Sequence, residues 1–427
     1  MPALPPDAAA ARAGEPEAAL AFAIEAARGG DAGAEVAQLF VDALAGLVRK
    51  ALAPEAGDPA FQAQVLQAQS PTVAEHLELA ARETADRRAV RAAADALAHP
   101  GKLRHLPAGP VRDRLARIHA LAAGEAWADL RAAADADVAF PPDAQAALER
   151  LQRGAMLRSH PDVQRYLALC ARRGPPAGSD AASAQGRASA RAGSGAEQVT
   201  LDAFSTIASL LQGQAAPGTR YRAAGSLLTP RGFPGAADKA KDEWDAAIVR
   251  GEGADRPLDI VLLAEVKASA AAAPPDFGRL LRGLQRLALA DPRSDYSFAC
   301  AGGDLEIAGA SLRRLQPVGV TLPPHVIYCC ASEEAQPAPL AAATRAVLLA
   351  EPQAIAFAQR LLAGQAADPQ MLAPLWTQLP TAPRLRSALH QYQTATAARA
   401  AMLHPDDLVT AVRRRLARPG RRSDIAS

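Results

Sequence analysis

The stretch KDEWDAAIVRGEGADRPLDIVLLAEVKAS, residues 241–269, decides how this chain reads. Two apolar runs, Trp244 to Val249 and Ile260 to Val266, are separated by residues rich in Gly, Asp and Pro, the pattern of strand, connection and strand. Asp245 stands at the head of the first run, and the second run ends in Glu265, Val266 and Lys267. Side chains alternate along a strand, so Glu265 and Lys267 share a face with Leu263, while Leu262, Ala264 and Val266 face the other way. If the two runs pair as a hairpin, Asp245 approaches Glu265 closely enough for both carboxylates to hold one hard cation. The backbone carbonyl of Val266 is then a third oxygen ligand.

Oxygen ligands of this kind suit magnesium or manganese. A bound dication polarises a phosphoryl group and lowers the pKa of a bound water, which are the needs of phosphodiester hydrolysis. Lys267 is placed to orient or deprotonate that water, or to offset charge in the transition state. The segment PDFGRLLRGLQRLALA, residues 275–290, follows as an amphipathic helix with the apolar stripe Phe277, Leu280, Leu281, Leu284 and Leu287. Arg279, Arg282 and Arg286 fall on a different face, a basic ridge suited to tracking phosphates.

The order acid, strand, Glu-Val-Lys and helix resembles the PD-(D/E)XK nuclease superfamily over about residues 220–330. Asp245 and the Glu265-Val266-Lys267 triplet carry that resemblance. It implies a restriction-endonuclease-like core in which the acid and the triplet lie on neighbouring strands of a central mixed sheet flanked by helices. It further implies catalysis by Asp245, Glu265 and Lys267 and a metal held at Asp245, Glu265 and Val266. A glutamine or basic residue often comes from the following helix, and Gln285 is the candidate. For the glutamate that many members carry on the helix before the sheet, the candidates are Glu197 and Asp202. No proline precedes Asp245, the local sequence being Glu243-Trp244-Asp245.

Outward from this core the pattern is helical. Between about residues 16 and 173 apolar residues recur at helical spacing, clearest at Val36, Leu39, Phe40, Ala43, Leu44, Leu47 and Val48. Further helices are expected near 58–69, 72–98, 110–123, 142–155 and 160–173, opened or closed by prolines. Residues 174–197, GPPAGSDAASAQGRASARAGSGAE, hold almost nothing that could enter a core and read as a flexible linker. A helix at 198–213 precedes the core. Two more strand candidates follow Lys267, Tyr296 to Ala301 and Val326 to Cys330, and helices return near 338–363, 381–402 and 405–418 before a basic tail.

The expected fold class is α+β. A helical domain spans 1–173, a linker 174–197, a nuclease core 198–337, and a helical C-terminal region 338–427. At 427 residues the chain exceeds what one core usually serves. Its 47 basic and 45 acidic residues nearly cancel, so affinity for a polyanion has to come from local patches. The eight histidines are scattered, with no HExxH and no cysteine–histidine cluster, and the chain lacks a P-loop, a dinucleotide-binding glycine motif and a GxSxG elbow. Neither a secretory leader nor a run of eighteen strongly apolar residues is present, which points to a cytoplasmic protein without a membrane partner. Cys170, Cys300, Cys329 and Cys330 are expected to be reduced.

The sequence therefore points to a magnesium- or manganese-dependent nuclease acting on nucleic acid, DNA above RNA, with the N-terminal helices choosing substrate or protein partner. Two rival readings stand beside it. In one, the chain is a helical interaction protein whose nuclease-like domain is an inactive scaffold, Glu265 and Lys267 being only a same-face ion pair and the three arginines a wet helix face. In the other, the carboxylates hold a metal for a small phosphorylated substrate.

Overall fold

A computed structural model describes residues 4–30, 33–134, 140–175, 178–253, 256–332 and 338–417. The chain divides into two compact units. One comprises Met1–Gly46, Gly178–Leu348 and Leu372–Ser427; the other comprises Leu47–Ala177 and Leu349–Met371.

The first unit is built on a mixed sheet. Strands β1 (Thr219–Leu228), β2 (Glu243–Glu252) and β3 (Asp259–Val266) form an antiparallel meander. The chain then crosses over through helix α2 (Ala273–Leu287), with helix α1 (Asp180–Gln212) lying before the meander. Strands β4 (Asp295–Phe298) and β5 (Leu305–Ala308) make a separate two-stranded sheet. The chain returns as β6 (Val326–Cys329), parallel to β3, as pairing through so long a crossover permits. After helix α3 (Gln391–Ala400), β7 (Met402–Leu403) adds in parallel to β6, and helix α4 (Pro405–Leu416) closes the unit. The five-stranded order is β1-β2-β3-β6-β7.

Both faces of this sheet are covered, which explains why β3 and β6 are nearly continuous apolar runs. On one face α2 buries Phe277, Leu280, Leu284 and Leu287 against Val249, Ile260, Leu263, Val326 and Tyr328, with Ala398 of α3 beside them. Each such fully buried side chain stabilises the fold by roughly 1.5–3 kcal/mol. On the other face Ala203, Phe204 and Ile207 of α1 and Val409 of α4 pack on Ala246, Ile248, Ala264, Val266, Ile327 and Cys329. Asp245 and Glu265 share strand parity with Val249 and Leu263, so both acids belong to the face that α2 covers.

The second unit is helical. Pro71–Ala98, Pro110–Ala123 and Pro142–Arg158 surround a core of Val90, Ile118, Trp127, Leu130, Phe140, Leu148 and Leu151. Proline opens each of these helices at a first-turn position, where its missing N–H has no helical partner to lose. Arg150 donates in bidentate fashion to the buried Asp86, through Nε at 2.9 Å and through a terminal nitrogen at 2.6 Å.

Three expectations are corrected. Residues 174–197 read as a flexible linker; 176 and 177 lie outside the described residues, and from Asp180 onward the stretch is α1, with the Ser179 hydroxyl accepting the Ala182 N–H at 3.1 Å. Alanine propensity and a good N-cap outweigh the three glycines, although nothing in α1 is buried before Ala196. The units also do not follow the expected boundaries: residues 1–46 belong with the sheet, and 349–371 belong with the helices. Finally, the C-terminal region is no separate helical part, since it supplies β7 and α4 to the central sheet.

The residues expected as strands at 244–249, 260–266 and 326–330 are strand to within a residue, and the one expected at 296–301 is shorter, ending at Phe298. β1, β5 and β7 were not foreseen. All four cysteines are free. Among the described residues no helix is long and apolar enough to cross a membrane. The basic tail beyond Ala417 lies outside the described residues; Arg413, Arg414 and Arg415 form the last turn of α4, where cations suit the helix dipole.

Candidate active site

Asp245 and Glu265 sit opposite one another near the ends of two paired strands. β2 and β3 are in register at Ala246 and Ala264, which leaves the two acids as the next positions along. The backbone N–H of Val266 donates to Asp245 Oδ2 at 2.7 Å, a bond from one strand to the side chain of the other. On the far side of β3, Glu265 is the register partner of Tyr328 on β6. On β1, Ser226 falls between the paired positions Gly225–Ala246 and Leu227–Trp244, facing Asp245, with φ at 53°. A non-glycine residue held there stores about 1 kcal/mol or more of strain beside the acids.

The acids are joined by two lysines into one chain of alternating charge. Lys241 Nζ lies 3.1 Å from Asp245 Oδ1 and 2.5 Å from Glu265 Oε2. Lys267 Nζ lies 2.8 Å from Glu265 Oε1 and 2.8 Å from Asp276 Oδ2. The order is Asp245, Lys241, Glu265, Lys267, Asp276, three carboxylates against two ammoniums. Lys241 and Glu265 are buried, with side chains 5% and 3% exposed, and the other three are largely enclosed.

Burial shapes the proton equilibria. It pushes Glu265 up to about 7, helped by the negative charge of Asp245 and only partly offset by Lys241 and Lys267. For Lys267 burial acts downward, but Glu265 and Asp276 outweigh it and raise its pKa, so it stays an ammonium. Burial acts upward on Asp276, yet the hydrogen bond from Lys267 holds it below the usual carboxylate range. Tyr328, fully buried, is raised by burial and then by Asp276, Glu265 and Asp245, and its hydroxyl has no hydrogen-bond partner among the described residues.

Helix α2 fixes this arrangement from above. At Gly283 an added Cβ would lie 2.9 Å from Lys241 Cβ, 3.0 Å from the Lys241 carbonyl oxygen and 3.1 Å from the Trp244 ring, so only glycine lets the helix approach this closely.

The structure gathers Asp245, Glu265, Lys267 and the backbone of Val266, and it leaves other candidates apart. Gln285 is exposed and lies about 200° round α2 from Gly283, the position that packs on Lys241, so its side chain points away from the cluster. Of the arginines, Arg286 pairs with Asp242, lies over the Phe233 ring at 5.7 Å and is only 10% exposed. Arg282 donates to the Lys239 carbonyl at 2.9 Å. These two brace the loop that leads into β2; Arg279, half exposed and 3.9 Å from Asp276, is the arginine beside the acids, and Arg282 is exposed as well. Of the two upstream acids, Glu197 feels the site: burial raises its pKa first, then the charges of Asp245 and Glu243.

Lys241, Asp276 and Tyr328 were missed. Asp276 had a signal, an acid in the first turn of the helix that follows the triplet, and Lys241 stands one helical turn's spacing before Asp245 without lying on a helix. Among the described residues no group of three or more His, Cys, Asp or Glu is arranged to hold a metal. Two hard oxygens from neighbouring strands do converge on a single cationic atom, Lys241 Nζ, and that donor set fits a divalent cation in place of the ammonium. A cavity of about 450 Å³ between α2 and α3, with Pro274, Pro275, Leu340, Tyr392 and Met402 in its walls, has none of the five charged residues in its lining.

Compared with known protein families, curated proteins and solved structures, the chain gives no match.

Proposed function

We propose that the sheet unit is a metal-dependent nuclease of the PD-(D/E)XK type that hydrolyses phosphodiester bonds, with DNA as the preferred polymer. The observation that carries this reading is the convergence of Asp245 Oδ1 and Glu265 Oε2 on one cationic nitrogen, with Lys267 on the outer oxygen of Glu265. The acid and the triplet stand on neighbouring strands of a mixed sheet with helices on both faces, the setting the resemblance implies.

In this reading Asp245, Glu265 and the Val266 carbonyl hold magnesium or manganese, which supplies a polarised phosphoryl group and an acidified water. The chain's own residues do the rest. Val266 N–H fixes the Asp245 carboxylate so that one oxygen faces the metal position. Lys267, kept protonated by Glu265 and Asp276, offsets negative charge developing on the phosphoryl oxygens. Asp276 positions that ammonium from the start of α2. Arg279 is the outward cation beside the site for a backbone phosphate, and the helical unit is the candidate for a protein partner.

One observation favours the inactive scaffold as second reading: the carboxylates already have ammonium partners at ion-pair distance without a metal. The experiment that separates the two measures cleavage of single- and double-stranded DNA and RNA with Mg²⁺ and Mn²⁺ for the parent, Asp245→Asn, Glu265→Gln and Lys267→Met. Each variant is expected to lose cleavage by about a hundredfold or more, the size seen when one electrostatic group of a transition state is removed. Asp245→Asn and Glu265→Gln should also lose metal binding in calorimetry, and Lys267→Met should keep it. A parent that cuts none of these polymers, or variants that cut as it does, leaves the scaffold reading in place.

A further inference from the structure

Of the two ammoniums in the site, the nuclease reading uses only Lys267. Lys241 is as deeply placed and has no part in it. We propose that Lys241 is a resident cation seated at the divalent-metal position, so that a metal enters by displacing this ammonium from between Asp245 and Glu265. The inference rests on the metal site of the proposed nuclease.

Each carboxylate oxygen of the two acids faces a cation or an N–H, and one of them, Glu265 Oε2, is buried with Lys241 at ion-pair distance but with no hydrogen bond among the described residues. Asp245 gives Oδ2 to the Val266 N–H and Oδ1 to Lys241; Glu265 gives Oε1 to Lys267 and Oε2 to Lys241. The pair that could face one metal is therefore the pair that Lys241 holds. A hard dication takes six or more oxygens and does not share two of them with an ammonium at 3.1 and 2.5 Å.

Lys241 is also built into place. Its side chain is 5% exposed, and α2 comes down on its Cβ and carbonyl through Gly283. Charge points the same way. With Lys241 displaced, three carboxylates face Lys267 alone, an excess of two negative charges that one dication neutralises. The Tyr328 hydroxyl, fully buried, unpartnered among the described residues and close enough to feel all three acids, is a further oxygen in the same enclosure. A displaced lysine has a natural new partner in a substrate phosphate, since it carries a compact point charge on a flexible four-carbon stem.

The chain has five lysines, Lys50, Lys102, Lys239, Lys241 and Lys267, so each side-chain signal can be assigned by single replacement in protein carrying ¹³Cε-labelled lysine. Titration of the full chain with Mg²⁺ is expected to shift the Lys241 signal to that of a solvated lysine while Lys267 keeps its paired environment. In calorimetry Lys241→Met, which keeps the stem and removes the charge, should bind Mn²⁺ at least about tenfold more tightly than the parent. Lys241→Met combined with Glu265→Gln should lose that gain. If Lys241→Met does not fold, the Lys241 signal in the parent alone decides the matter. A Lys241 signal unmoved by metal at saturation, or equal Mn²⁺ affinity with and without the lysine, overturns the inference even if the parent cuts DNA. Displacement of Lys241 by metal in a protein that cuts no nucleic acid upholds it and sinks the nuclease reading. Absence of metal binding by both parent and Lys241→Met overturns both.

Discussion

The backbone N–H of Val266 is bonded to Asp245 Oδ2 at 2.7 Å, so the acid of one strand is clamped by the main chain of its neighbour. Removing the acceptor leaves a largely enclosed N–H without a partner, at a loss of about 1–3 kcal/mol. Asp245→Ala is expected to lose that much in metal-free urea unfolding, and Asp245→Asn clearly less, because its carbonyl oxygen still accepts. Crowded like charges alone would make the asparagine variant more stable than the parent. With Lys241 seated between the acids, the parent should instead be the more stable of the two. Equal losses for alanine and asparagine would show that the Val266 bond contributes little.

Asp276 shares Lys267 with Glu265 at equal distance, 2.8 Å to each. Asp276→Asn keeps the shape and removes the charge that holds the ammonium from the helix side. If the nuclease reading is right, cleavage should fall by about tenfold or more with metal affinity unchanged, since a positioning residue acts through Lys267 and not on the ion. Loss of metal affinity in step with cleavage would make Asp276 a ligand instead.

Gly283 and Gly278 lie on the same helix and should respond in opposite senses to alanine. At Gly278 the nearest atom to an added Cβ is a terminal nitrogen of Arg282 at 3.5 Å, ordinary contact, so Gly278→Ala should stabilise by up to about 1 kcal/mol through helix propensity. At Gly283 the new Cβ meets the Lys241 backbone and Trp244 at 2.9–3.1 Å, and Gly283→Ala should destabilise by about 1–3 kcal/mol as α2 is pushed off the sheet. Thermal melting of both variants checks the pair. A stabilised Gly283→Ala would mean that α2 does not need this approach.

The core strands and the acids were legible because β2, β3 and β6 carry continuous apolar runs and strand alternation puts Glu265 and Lys267 on one face. β1 was not, since Thr219, Arg220, Arg222, Ala223 and Gly225 give an edge strand that is only half buried and carries no apolar run. β7, two residues long, borrows its pairing from β6 and has no local signature at all. The glycines and serines of 180–195 suggested a flexible chain, yet helix propensity is set by the alanines among them. In the site, Lys241 and Asp276 escaped notice because their partners are fixed by how the β2 approach and α2 fold onto β3. No sequence period records that. Gln285 illustrates the converse, since a family pattern named it and the rotation of α2 turns it away.

Glu265 gives a dependence on pH whose sign is fixed. Burial and Asp245 raise its pKa to about 7 in the folded chain, while the unfolded chain titrates it near 4.5. Between those values the native state binds more protons at this site than the unfolded state, so its contribution to stability is full below the lower value and is lost as pH rises through 7. Glu265→Gln mimics the neutral carboxyl and does not titrate. In metal-free buffer the stability difference, parent minus variant, should therefore fall as pH is raised from 4.5 to 7.5 and level off above, by on the order of 2 to 3 kcal/mol. The depressed carboxylates Asp259 and Asp276 lose their contribution only at pH below this window, and they are common to both proteins. Lys267, raised, stays charged throughout it. Metal should reverse the trend, because a dication binds the ionised carboxylate and favours deprotonation; with saturating Mg²⁺ the parent should gain on the variant as pH rises. Parallel stability curves for the two proteins from pH 4.5 to 7.5 without metal would show that Glu265 ionises as an ordinary carboxylate, fully neutralised by Lys241 and Lys267.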